Sequence, residues 1–109
     1  MATTYKVLGQ IEPSAASATT AYTVPSATQA VVSTITACNQ GTNSANIRIA
    51  VRPDGETLAD KHYVAYDVTI GASQTAAFTL GITADAADVI TVQASTATVS
   101  FNVFGTEIA

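Results

Sequence analysis

One histidine limits the acid–base chemistry open to this chain. His62 stands between Lys61 and Tyr63, with Asp60 and Asp67 the nearest acids. Ser-His-Asp triads assemble from distant positions, so spacing alone does not test for one. The sequence has no Gly-x-Ser-x-Gly nucleophile elbow and no glycine-rich phosphate loop, however. His62 is therefore read as a surface or strand-end histidine rather than a catalytic base. Asp85 and Asp88 are the second candidate, because calcium sites gather carboxylates from one loop and glycosidases set two acids across a cleft. The run Asp85-Ala86-Ala87-Asp88 has no Asn, Gly or third acid beside it. It reads as a pair of turn formers at a strand start, with weak calcium binding the alternative. Cys38 is the single cysteine, which excludes an internal disulfide and belongs to no metal-ligand spacing. It reads as a small buried thiol at a strand end. No catalytic residue, metal ligand or cofactor is expected.

The tyrosines offer recognition rather than catalysis. Tyr5, Tyr22, Tyr63 and Tyr66 are candidates for a sugar-stacking platform, although Trp is absent. Alternation around residue 66 places Tyr66 with Val64, Val68 and Ile70 on an apolar face, and leaves Tyr63 as the exposed member. Arg48 and Arg52 share the outer face of another segment. Tyr and Arg also anchor protein interfaces, so Tyr5, Lys6, Arg48, Arg52 and Tyr63 are the candidate interface residues.

The elements that must carry these residues are strands. Turn signals recur about every ten residues, the rhythm of a sandwich or barrel. Alternating or β-branched runs are expected at 4–10, 19–24, 29–38, 44–52, 62–70, 74–81, 89–94 and 97–104. The cleanest sets Ile47, Ile49 and Val51 against Arg48 and Arg52. In the run after Gly71, Phe78, Leu80 and Ile82 are in phase. Asn39-Gln40-Gly41-Thr42-Asn43 and Pro53-Asp54-Gly55 are turn formers. Residues 56–61 make a short loop with room for one helical turn. No stretch keeps the helical period long enough for a stable helix. About eight antiparallel strands in this length predict an all-β fold, an antiparallel β-sandwich that is immunoglobulin-like or jelly-roll. The 109 residues suffice for one core, so residues 1–109 form a single domain, with 1–20 either an extended N-terminal arm or its first strand.

Composition narrows the function class. Only 11% of the residues are charged, against roughly 25% in an ordinary soluble domain. The net charge of −4 comes from acids and bases scattered singly. No basic patch exists for nucleic acid or for an anionic membrane, so neither partner is expected. The first residues lack the basic and apolar regions of a secretory signal, which predicts synthesis in a cytoplasm. Strand faces left to Thr, Ser and Ala do little to repel a neighbouring protein, and unprotected edges can be extended by a partner's strand.

The segments Thr4-Tyr5-Lys6-Val7-Leu8-Gly9-Gln10, Tyr22-Thr23-Val24-Pro25, Ala30-Val31-Val32-Ser33-Thr34-Ile35 running into Cys38-Asn39, Arg48-Ile49-Ala50-Val51-Arg52-Pro53 and Phe101-Asn102-Val103-Phe104-Gly105-Thr106-Glu107-Ile108 occur in that order. Together they resemble small virion structural proteins of tailed bacteriophages, especially phages of cyanobacteria and other aquatic bacteria. The resemblance spans nearly the whole chain and transfers no catalytic residue. It implies a non-enzymatic capsid decoration, or cement, protein on the outer surface of the virion. Its partners would be the major capsid protein or other virion proteins, and its own state a homo-oligomer, with a trimer matching three-fold lattice positions. A neck, tail or fibre-base component is the alternative. A carbohydrate-binding module on the virion surface, with Tyr63 and Arg52 contacting sugar, is the rival from another class.

Overall fold

The computed structural model describes residues 2–109 and contains nine strands. They are β1 (Thr3–Ile11), β2 (Thr19–Thr23), β3 (Gln29–Asn39), β4 (Ala45–Arg52), β5 (Tyr63–Ile70), β6 (Thr75–Phe78), β7 (Ile82–Ala84), β8 (Val89–Ala94) and β9 (Val99–Ile108). The expected run at 74–81 is divided: the chain leaves the ladder after Phe78 and turns through Gly81 at φ +63°, a conformation that a side chain disfavours. Phe78 and Ile82 still face the core, whereas Leu80, expected in phase with them, is exposed. The last strand also continues past its expected end at 104, to Ile108.

All pairings are antiparallel. The first sheet runs β1-β9-β3-β6, with β7 also on β3, and the second runs β2-β8-β4-β5. Pairing β1 with β9, β2 with β8, β3 with β6 and β7, and β4 with β5 describes one long ribbon rolled over on itself. That is the jelly-roll solution; an immunoglobulin arrangement would place its first two strands in one sheet. The first strand pairs along its length with β9, so residues 3–11 belong to the sandwich. Reciprocal bonds between the backbones of Ala2 and Ala109, both 2.8 Å, extend this ladder.

The core follows from alternation. Ile35, Ile47, Ile49, Ile90, Val99, Phe101 and Val103 are fully buried between the sheets, each worth about 1.5–3 kcal/mol of transfer free energy. Small residues let backbones approach where the ribbon bends. A Cβ on Gly105 would stand 2.1 Å from the Val31 carbonyl oxygen, and one on Gly9 would stand 2.1 Å from that of Ala21. The register of β1 shifts beside Leu8 and that of β3 beside Ser33, so both bulges flank the Phe104-Gly105 stretch of β9.

One end of the sandwich is fastened by a buried amide. Asn39 donates through Nδ2 to the carbonyl oxygens of Asn43 (2.9 Å), Ile70 (3.1 Å) and Gly71 (3.2 Å). Its Oδ1 accepts from the Gly41 N–H and the Thr98 hydroxyl. A residue expected only to form a turn thus ties three inter-strand connections together. Among the described residues no helix is long and apolar enough to cross a membrane.

Candidate interaction surfaces

Register assigns each sheet an outer face. On the first sheet, cross-strand rows turned away from the core read Tyr5-Thr106-Val31-Thr83, Val7-Phe104-Thr34, Gln10-Asn102-Thr36-Ala77 and Ser100-Cys38-Thr75. None of these residues is charged. Tyr5 is 81% exposed and Val7 45%, with Val31 at 39% and Phe104 half-buried beside them. The apolar group borders the outer edge of β1, whose backbone pairs on one side only. Lys6 does not join this face. Its ammonium lies 3.2 Å from Glu107 Oε1, and Tyr22 Oη donates to Glu107 Oε2 at 2.5 Å, linking the two sheets at their rim. Burial, then the bond to Glu107, pushes the Tyr22 phenol well above its ordinary range. The Tyr22 hydroxyl, with Lys6 behind it, holds Glu107 below the usual carboxylate range.

The outer face of the second sheet carries charge. Arg48 Nε and Nη2 donate to the two oxygens of Asp67 at 2.6 and 3.3 Å, and this guanidinium holds the carboxyl below its usual range. The same guanidinium lies 4.1 Å from the centre of the Tyr66 ring. Tyr66 meets Tyr63 edge to face, with centroids 5.0 Å apart and planes at 80°. Tyr66 was expected on the apolar face, yet it is 56% exposed, and Val64 is exposed as well. The register of β4 against β5 shifts twice, and Asp67 takes φ +53°, so two bulges break the alternation: Ala65, in phase with Tyr63 rather than with the apolar set, is buried, and Ile70 is buried as expected. Tyr63, expected to be the exposed ring, is only half-buried.

Arg52 shares its strand face with Arg48 but serves the loop that follows. Its Nε donates to Thr91 Oγ1 at 3.0 Å, and its Nη1 to the carbonyl oxygens of Gly55 (3.3 Å) and Glu56 (2.9 Å). His62 pins the other end of this loop, and it is buried rather than on the surface. Its Nδ1 accepts from the Ala59 N–H at 3.0 Å, which leaves Nε2 to donate to Glu56 Oε1 at 3.1 Å. That bond, ahead of Lys61, holds Glu56 below the usual range. The expected helical turn is present as a 3-10 turn at Asp60–His62. Asp88 accepts from the N–H groups of Asp54 and Asp85, as a turn former does. Among the described residues no cluster of His, Cys, Asp and Glu is assembled to hold a metal. Cys38 lies half-buried near the end of β3, on the outer face of the first sheet.

Of the candidate residues, Arg48 and Tyr63 are joined through Tyr66, Tyr5 lies on the opposite face, Lys6 is at the rim and Arg52 is committed to a loop. Tyr66 and the apolar partners of Tyr5 were missing from that set. For Tyr66 the one local signal is the Asp that follows it, a residue type that tolerates positive φ. No protein-family model and no curated protein matches this chain.

Proposed function

We propose that this chain is a non-enzymatic structural protein of a tailed-bacteriophage virion, most specifically a capsid decoration protein bound to the outer surface of the major capsid lattice. The observation that carries the reading is the uncharged outer face of the first sheet, with exposed Tyr5 and Val7 on the open edge strand β1 and exposed Val31 two strands further in. An uncharged face loses little solvation free energy when covered, and an unpaired edge can accept a partner's strand. The segment resemblance supplies the virion context. Homotrimers at three-fold positions fit a lattice of that symmetry. Imaging of intact particles tests the proposal. Density for this chain on the capsid shell, with the first sheet turned toward the shell, is expected. Density confined to the neck, tail or fibre base would replace decoration with that alternative, and a chain missing from purified particles would overturn the virion reading.

A further inference from the structure

The outer face of the second sheet carries a depression. The loop pinned by Arg52 and His62 brings Asp60 next to Tyr63 and Tyr66, and these residues line a depression of about 480 Å³. Its size falls within the range of small-molecule sites, roughly 300–1,000 Å³. Tyr66 is exposed yet fixed, because Arg48 stacks on it, Asp67 anchors Arg48 and Tyr63 meets it in an edge-to-face contact. Such a ring has already lost the rotamer freedom that binding would otherwise remove.

The groups select the ligand. A flat apolar ring wall suits the C–H face of a cyclic polyol, while Asp60 offers carboxylate oxygens to hydroxyl donors. The phenol hydroxyls both donate and accept. A phosphate or other anion would face Asp60 without a free cation lining the depression. A cationic ligand would compete with Arg48, which already covers one face of Tyr66. We infer that the Asp60–Tyr63–Tyr66 depression binds a neutral pyranose, its ring stacked on tyrosine and its hydroxyls donating to Asp60. This relocates the carbohydrate expectation from Tyr63 and Arg52 to a set without Arg52. It does not rest on the virion reading, since it requires only that the outer face of the second sheet stay open.

The test is a titration of the purified full chain with the methyl glycosides of glucose, galactose, mannose and N-acetylglucosamine. It is followed by amide chemical shifts and by tyrosine fluorescence, which no Trp obscures. At least one glycoside is expected to saturate with a dissociation constant between about 0.1 and 10 mM, moving the amides of Asp60, Tyr63 and Tyr66. Tyr66→Ala is expected to weaken it by about tenfold or more, and Tyr66→Phe, which keeps the ring, by less than about threefold. Val31→Lys, on the far face, should leave the affinity unchanged. The inference is overturned if no glycoside moves those amides up to about 50 mM, or if folded Tyr66→Ala binds as the unaltered chain does. Choline saturating the site where the glycosides do not would also overturn it.

Discussion

The two outer faces of this sandwich are built from the same kind of strand and present opposite surfaces. On the first sheet the rows from Tyr5 to Thr83 and from Val7 to Thr34 carry no charge. On the second, Arg48 and Asp67 form a two-bonded pair that also fixes Tyr66. Their edges differ in the same sense. β1 keeps regular pairing from Thr3 to Val7, whereas β5 is broken by two register shifts and a positive-φ Asp67. Bulges and charge are devices that keep a strand edge from pairing with another chain; β5 has two bulges and Asp67, whereas β1 has one bulge, at Leu8, and a Lys6 that is turned to Glu107. The scarcity of charge is therefore uneven: the second face carries the Arg48–Asp67 pair beside the depression at Tyr66, while the outward rows of the first carry no charge.

The largest expected effect removes the first face altogether. Gly105→Ala would place a methyl group 2.1 Å from the Val31 carbonyl oxygen, so β9 and β3 must separate beneath the apolar group. A loss of about 3–5 kcal/mol in urea unfolding is expected. A change below about 1 kcal/mol would mean that the bulges at Leu8 and Ser33 adjust freely.

Next comes the buried amide that serves both sheets. Asn39→Ala strips partners from the Ile70 and Gly71 carbonyl oxygens and from the Gly41 N–H. It is expected to cost about 2–4 kcal/mol, with amide exchange rising in the connections on either side of both faces.

A smaller effect lies at the rim that joins the sheets. The Glu107 carboxyl is held below its ordinary 4.5, so its contribution is present above that pH and is lost as pH falls through the folded value. The Tyr22 phenol is held above its ordinary 10.0, so its contribution is present below that pH and is lost as pH rises through the folded value. Tyr22→Phe is expected to cost about 1–2 kcal/mol at neutral pH. It should abolish the alkaline loss and reduce the acid one, Lys6 still holding Glu107. Unfolding midpoints at about pH 3, 7 and 11 check both limbs.

The unequal faces were only partly legible in the sequence. β-branched alternation marked β3, β4 and β8 nearly to the residue, because a bulge on a ladder adds a residue without ending the strand. In β5 the same rule buried Tyr66, since a bulge at Asp67 changes which side a residue faces without altering composition. Gly105 looked like a strand end, although the bulges of its two neighbours require a residue without Cβ inside the ladder. Asn39 looked like a turn former because three of its five partners, Ile70, Gly71 and Thr98, lie far along the chain, and only Gly41 and Asn43 are local. Jelly-roll and immunoglobulin orders stayed equivalent for a related reason: the rolled ribbon is defined by which strands pair, and alternation records only that they do. The candidate interface residues were scattered over both faces and the rim for want of that register.

The central claim is that the uncharged face of the first sheet is the one that meets the particle. It is tested most directly by adding back purified protein to virions stripped of it and comparing Val31→Lys with Gln93→Lys, which places the same charge on the outer face of the second sheet. Both substitutions should leave stability within about 0.5 kcal/mol. Val31→Lys is expected to lose particle binding by about tenfold or more while Gln93→Lys binds as the unaltered chain does. Equal binding by the two, or loss confined to Gln93→Lys, would contradict the account.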